Sequence, residues 1–240
     1  MRLKDRNVVV VGVGPGLGSA VVYYALREGA QVYAFARSGD FLTQLEKTMS
    51  QFGRVYVGRA DFSSWDEARR AAGDVGRVFS RVDGLVVTAG GYVGGGVEEL
   101  EPAQLEDMLA RNLKAHIYAV KAFLPLMGEG SSVVLVSSVG GAYAAWPRHV
   151  AYVASKAALA KAAESLAADL VDRGIRVNAV APGGMSKDFS PGRAYPRPRL
   201  GAPQTPPEEV AKVVVWLLTE EAWWVDGAVV PVDGGRRLRG

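Results

Sequence analysis

Short apolar runs rich in β-branched residues alternate with amphipathic stretches along most of this 240-residue chain. Asn7–Val11 reads as a first strand, 16–27 as a helix and Gln31–Ala36 as a second strand, a βαβ opening. A third strand is expected near 54–57, a helix over 65–79, a strand over 84–88 and a long helix from about 102 to 126. Then come a strand over 132–138, a helix over 150–173 and a strand over 176–181. Strands separated by helices imply a parallel sheet, because parallel neighbours need a crossover connection. The runs 8–11 and 133–136 lack period-two alternation, so they should be buried on both faces.

No internal repeat or long linker interrupts this order, and one α/β domain spanning 1–240 is expected. The exception to the periodicity is 183–207, with six prolines, several arginines and little pattern. It follows a strand end, where open α/β sheets bind ligands, and is expected to be a substrate lid over about 184–207.

Composition adds exclusions. The chain is 49% hydrophobic and 22% charged with a net charge of +3, too small to imply a nucleic-acid partner. Arg193, Arg197 and Arg199 sit in the proline-rich stretch, and Arg236, Arg237 and Arg239 near the end, so the basic character is local. The absence of cysteine excludes disulfides and thiolate catalysis, and with only His116 and His149 no metal site is expected. The first residues carry no apolar leader, and no apolar stretch approaches the ~18 residues of a membrane span, so the expectation is a cytoplasmic protein.

Two local patterns carry chemistry. Gly12, Gly14, Gly16 and Gly18 stand between the first strand and the first helix, with the spacing Gly-x-x-x-Gly-x-Gly across 12, 16 and 18. A tight turn there exposes backbone N–H groups and a helix dipole that can receive a pyrophosphate, which side chains would obstruct. Tyr152 and Lys156 lie four residues apart in a helical segment and so share one face. A cation beside a phenol stabilises the phenolate and draws its pKa from about 10 toward the working range, which suggests proton transfer.

The glycine turn, Ala89-Gly90, Asn112, Ser138, Tyr152-x-x-x-Lys156, Pro182-Gly183 and the closing segments 224–227 and 231–235 together resemble the short-chain dehydrogenase/reductase superfamily, over nearly the whole chain. The resemblance implies a doubly wound Rossmann-like domain with a seven-stranded parallel sheet in the order 3-2-1-4-5-6-7. It implies that Tyr152 is the general acid or base, Lys156 lowers its pKa and binds the nicotinamide ribose, Ser138 orients the substrate carbonyl, and Asn112 holds a relay water. Cofactor contacts are implied for Gly12, Gly14, Gly16, Leu17, Gly18, Arg37, Ser38, Asp61, Phe62, Ala89, Gly90, Tyr152, Lys156, Pro182 and Gly183.

Ala36-Arg37-Ser38 ends the second strand without the carboxylate that usually binds a ribose 2′-hydroxyl, so NADPH is expected over NAD. Three positions depart from the family pattern: Val11 replaces Thr before Gly12, Val87-Thr88 replaces Asn-Asn before Ala89, and Lys187 replaces a nicotinamide-contacting Thr beside Ser186. The first two are expected to remove polar ties between strands and turn. The substrate is read as a ketone or secondary alcohol, a 3-oxoacyl thioester or a small hydrophobic ketone. Arg173 stands where 3-oxoacyl-carrier-protein reductases use a basic docking residue, whereas Glu129 is opposite in sign to their preference. The alternative is a dinucleotide-binding sensor or structural subunit without efficient catalysis. Alanines spread around 151–171 leave a second small-residue face, and the resemblance implies a homodimer or homotetramer through this helix and through the strand near 228–232.

Overall fold

A computed structural model describes residues 1–239. The strands β1 (Asn7–Val11) and β2 (Gln31–Ala36) coincide with the apolar runs that predict them. β3 (Val55–Arg59), β4 (Gly84–Val87), β5 (Ser132–Val136), β6 (Arg176–Pro182) and β7 (Val229–Val232) complete one sheet. Its order is β3-β2-β1-β4-β5-β6-β7 and every neighbouring pair is parallel.

Helices connect the strands: α1 (Leu17–Arg27), α2 (Gly39–Met49), α3 (Trp65–Gly76), α4 (Pro102–Leu109), α5 (Ala115–Phe123), the single turn α6 (Val139–Ala142), α7 (Val150–Leu170) and α8 (Pro207–Leu217). α2 and α8 have no counterpart among the expected elements, although both carry start signals. Ser38 caps α2 by accepting from the Phe41 N–H, and Pro207 opens α8 with Glu208 and Glu209 in its first turn. The stretch expected as one long helix is interrupted. Between α4 and α5 runs a π turn over Ala110–Lys114, with Asn112 buried inside it.

Both faces of the sheet are covered, as the unalternating runs require. Val8, Val10, Val86 and Val134 pack toward α1 and α8, against Ala20, Val21, Val214 and Val215. Val9, Val11, Leu85 and Leu135 point the other way, against Ala68, Val75, Phe123, Leu159 and Ala163 of α3, α5 and α7. Each fully buried Val or Leu contributes about 1.5–3 kcal/mol, so the strand registers are fixed by burial on two sides. Connections from β1 and β4 leave to opposite sides, which opens a crevice beyond their carboxyl ends.

The segment 183–206 is irregular, as its prolines predict, but it is pinned. Ser186 N–H donates to Thr205 at 3.2 Å and Thr205 N–H to Gly184 at 2.8 Å, closing its base. Farther out, Arg193 grips the buried Glu208 carboxylate at 2.5 Å, and the Tyr195 hydroxyl donates to Glu209 at 2.5 Å.

Candidate active site

The turn after β1 presses directly on the turn after β4. Gly12 has φ +81°, and a Cβ there would lie 2.4 Å from the Ala89 backbone, so only glycine fits on both counts. Gly14 is different: a Cβ added to it meets nothing within 4 Å, because it faces a cleft of about 240 Å³. Of the residues for which cofactor contacts are implied, Gly12, Gly14, Arg37, Asp61, Phe62, Ala89 and Gly90 line that cleft, and Arg111 joins them. Gly16, Leu17 and Gly18 begin α1 beside it, with Leu17 buried in the core. Ser38 stands at the N-cap of α2, and Gly183 packs against Asp233 after β7.

Behind the Gly90 wall of the cleft lie Asn112 and Lys156, two of the four residues predicted to carry the chemistry. A Cβ on Gly90 would lie 3.1 Å from Asn112 Oδ1 and 3.6 Å from Lys156 Nζ, so the cleft lining touches both. Asn112 is fully buried in the π turn: its Oδ1 accepts from Gly91 N–H at 2.8 Å, and its Nδ2 donates to Gly91 O at 3.1 Å and Ser155 Oγ at 2.9 Å. Its side chain thus has protein partners, which tie α7 to the loop after β4. Ser138 ends the β5 connection, where its Oγ accepts from Gly140 N–H at 3.2 Å and its hydroxyl reaches the Tyr152 phenol. Tyr152 and Lys156 share one face of α7, and Lys156 Nζ donates to Val136 O at 2.7 Å.

The electrostatics depart from the expected pairing. Burial raises the Tyr152 phenol above its ordinary value, against the lowering hydrogen bond from Ser138, and Lys156 is not among the groups that shift it. Burial pushes Lys156 from 10.5 down to about 7. Low dielectric penalises charge on either group, and the bond from Nζ to the Val136 carbonyl offsets only part of that cost for Lys156. The unfolded chain therefore holds the Lys156 proton more tightly than the folded one between about pH 7 and 10.5, and stability contributed by this site is lowest below that window and rises through it. The urea midpoint should climb with pH in wild type more steeply than in Lys156→Met. Parallel pH profiles for the two proteins would contradict this assignment.

Residues 12–237 match a family model described as enoyl-(acyl carrier protein) reductase. The chain is 33% identical over 253 residues to 2-(S)-hydroxypropyl-CoM dehydrogenase 3 of Xanthobacter autotrophicus, covering 98% of this chain and 97% of that protein. Its fold superposes with a TM-score of 0.90 on a short-chain dehydrogenase/reductase from Serratia marcescens, at 26% identity, covering 98% and 99%. It also superposes at a TM-score of 0.86 on the Pseudomonas aeruginosa RhlG/NADP active-site complex, at 27% identity, covering 98% and 97%. The chain belongs to the short-chain dehydrogenase/reductase family.

Membership makes this short-chain dehydrogenase/reductase an oxidoreductase of the alcohol–carbonyl type that uses NAD or NADP. The residues fit such a cofactor: the open space at Gly14 and the N-terminus of α1 are what a pyrophosphate requires. One departure from the family pattern needs correction. Thr88 was expected to lose a polar tie, yet its Oγ1 lies 3.1 Å from Val11 O and 2.9 Å from Gly12 O, so it rebuilds that tie with a shorter side chain. Lys187 lays its backbone against Gly16, and Ser186 Oγ accepts from Asp188 N–H at 3.0 Å. Arg173 donates to Leu124 O and Met127 O at 3.3 Å, so its local partners are carbonyls after α5.

Four contributors went unnoticed in the sequence. Ser137 donates to Lys156 O at 2.8 Å, and Ser155 donates to Tyr152 O at 2.7 Å while accepting from Asn112. Both adjoin predicted residues, which is the only signal they give. His116 is fully buried and donates from Nε2 to Ala89 O at 2.9 Å, supporting the cleft floor; burial drops its pKa to about 3, which keeps it neutral. Arg111 reaches the cleft because the π turn redirects it, and nothing in the sequence marks a π turn.

Among the described residues no helix is long and apolar enough to cross a membrane.

Proposed function

We propose that this enzyme interconverts a ketone and a secondary alcohol with NADPH, Tyr152 serving as general acid in reduction and general base in oxidation. The observation that carries the reading is the Ser138 hydroxyl facing the half-buried Tyr152 phenol, one helical turn from Lys156. Bound NADPH supplies the hydride. Ser138 Oγ already accepts from Gly140 N–H, which leaves its one proton free to be donated. Two hydroxyl donors then meet an oxygen that gains negative charge, so they stabilise the transition state more than the ground state. Asn112 and Ser155 hold α7 against the loop after β4 and so fix the distance between Tyr152 and the cleft. Lys156, near neutrality at about pH 7, can give or take a proton as the phenol is recharged.

NADPH is favoured over NADH by a comparison of magnitudes. Arg37 faces Asp61 at 3.9 Å, but both are well exposed, and such pairs contribute only about 0.2–1 kcal/mol. A charge-assisted bond to a 2′-phosphate contributes roughly 1.5–3 kcal/mol and draws Arg37 away. Asp61 stays ionised: burial opposes this, but bonds from Ser63 and the charges of Arg37 and Arg111 hold its carboxyl below the usual range. The pinned segment 184–207, whose last residue opens α8, serves as the substrate lid, and the pocket takes a 3-oxoacyl thioester or a small hydrophobic ketone. A panel of such ketones with NADPH and NADH tests the reading; cofactor binding without oxidation on any of them would overturn it.

The assembly proposed is a homodimer or homotetramer. Ala154 and Ala168 of α7 are exposed, and the edge strand β7 is only half-buried along its length. Light scattering at micromolar protein should report two or four copies, and a 25.5 kDa particle would contradict this.

A further inference from the structure

The Tyr152 ring stands between two aromatic side chains. Tyr92 meets it edge-on at 5.0 Å between ring centroids, and Trp146 stacks nearly parallel to it at 6.1 Å and 15°. Both neighbours come from irregular segments: Tyr92 from the glycine-rich stretch 90–96, Trp146 from the loop that leads into α7. Neither segment has a sheet or helix ladder to hold its side chains. One imidazole touches both.

His149 occupies the N-cap position of α7. Its Nδ1 lies 2.7 Å from Pro147 O, an acceptor only, so Nδ1 carries the proton and Nε2 of the neutral ring is the acceptor for the Tyr92 hydroxyl. The same ring meets Trp146 edge-to-face at 6.1 Å and 82°. Trp146 in turn covers Gly140, where a Cβ would lie 2.7 Å from the indole, on the turn that Ser138 begins. Two further ties join the loops: Gly95 N–H donates to Arg148 O at 2.8 Å, and Arg148 Nη2 donates to both Glu99 carboxylate oxygens at 2.8 Å, an exposed pair that contributes little.

We propose that His149 is a positioning residue for the reaction: by accepting from Tyr92 and bracing Trp146, it clamps the Tyr152 ring so that its hydroxyl stays aimed at the carbonyl between Ser138 and the cleft. This rests on Tyr152 being the general acid, and it adds a residue that touches neither substrate nor cofactor.

The choice of variants follows from atom positions. His149→Gln can place its amide oxygen near the Nε2 position, whereas the shorter His149→Asn reaches only as far as Nδ1, where its NH2 can donate to Pro147 O. Tyr92→Phe removes the same hydrogen bond from the other side while leaving a ring in place. A small misplacement of a reacting group lowers rates by up to about 10²-fold, so His149→Asn and Tyr92→Phe should each lower kcat by about tenfold or more. NADPH affinity, read by tryptophan quenching, should stay unchanged in both. His149→Gln should recover most of kcat, and the double variant Tyr92→Phe/His149→Asn should be no slower than the slower single variant, since one bond is removed twice. Arg148→Ala should have a small effect.

Wild-type kcat in Tyr92→Phe overturns the proposal even if the His149 variants fail to fold. So does an additive double variant, or a loss in Arg148→Ala equal to that in His149→Asn. Tyr152→Phe in the same series separates the two readings. If it retains turnover, the acid assignment fails; if it abolishes turnover while Tyr92→Phe is normal, only the clamp fails.

Discussion

Tyr152→Phe is expected to lower kcat by about 10²–10⁴-fold, the range that one positioned acid–base group supplies, while the Kd for NADPH stays within a few fold. The split follows from where the side chain sits. Its ring is held by Tyr92 and Trp146, contacts that phenylalanine preserves, and no cleft-lining residue depends on its hydroxyl. What disappears is the transferable proton and the partner of Ser138. Steady-state kinetics with a good ketone, beside equilibrium titration of NADPH, measures both quantities. A variant retaining more than a tenth of wild-type kcat contradicts the acid assignment. Lys156→Ala should differ by harming both, because it leaves the Val136 carbonyl unpaired in a buried position.

Arg37→Asp is expected to lower kcat/KM for NADPH by about 10- to 150-fold, the equivalent of a charge-assisted bond of 1.5–3 kcal/mol, and to leave NADH unaffected or improved. The substitution removes a basic side chain at the end of β2, where Arg59 donates to Arg37 O at 3.0 Å, and adds a carboxylate close to Asp61, doubling the negative charge that a 2′-phosphate must approach. Arg111, which also lines the cleft, softens the loss without replacing the contact, since Asp107 already holds its Nε at 2.6 Å. Equal kcat/KM for the two cofactors in the unmutated enzyme would contradict the assignment of Arg37.

The strands were legible because burial on both faces leaves an unmistakable apolar run, as in Val8–Val11 and Val133–Val136. The glycine turn was legible because steric demands at Gly12 admit no other residue. Helices α2 and α8 escaped because their signals are caps rather than long periodic stripes, and α8 follows directly on a proline-rich loop. Spacing pairs Tyr152 with Lys156 and the family resemblance adds Asn112 and Ser138, but neither gives their hydrogen bonds. Where the Lys156 ammonium points depends on the Val136 carbonyl brought beside it by the fold, and Asn112 depends on a π turn with no sequence mark. The hydroxyl of Thr88 shows the same limit: one substitution away from the family pattern, it restores the tie through geometry that only the folded chain displays. The proposed clamp by His149 belongs here too, since Trp146 is close to it in sequence but Tyr92 comes from a loop 57 residues away.

The central claim is direct hydride transfer to a carbonyl with Tyr152 as proton donor, and the fate of the hydrogen tests it most directly. NADPH carrying deuterium at both C4 positions should place one deuterium on the carbinol carbon of the product in wild type, with the hydroxyl proton drawn from solvent. Tyr152→Phe should bind the labelled cofactor and yield almost no labelled alcohol. Oxidation of the cofactor without deuterium in the product, or tight binding with no turnover on any ketone, would contradict the account and leave a dinucleotide-binding protein in its place.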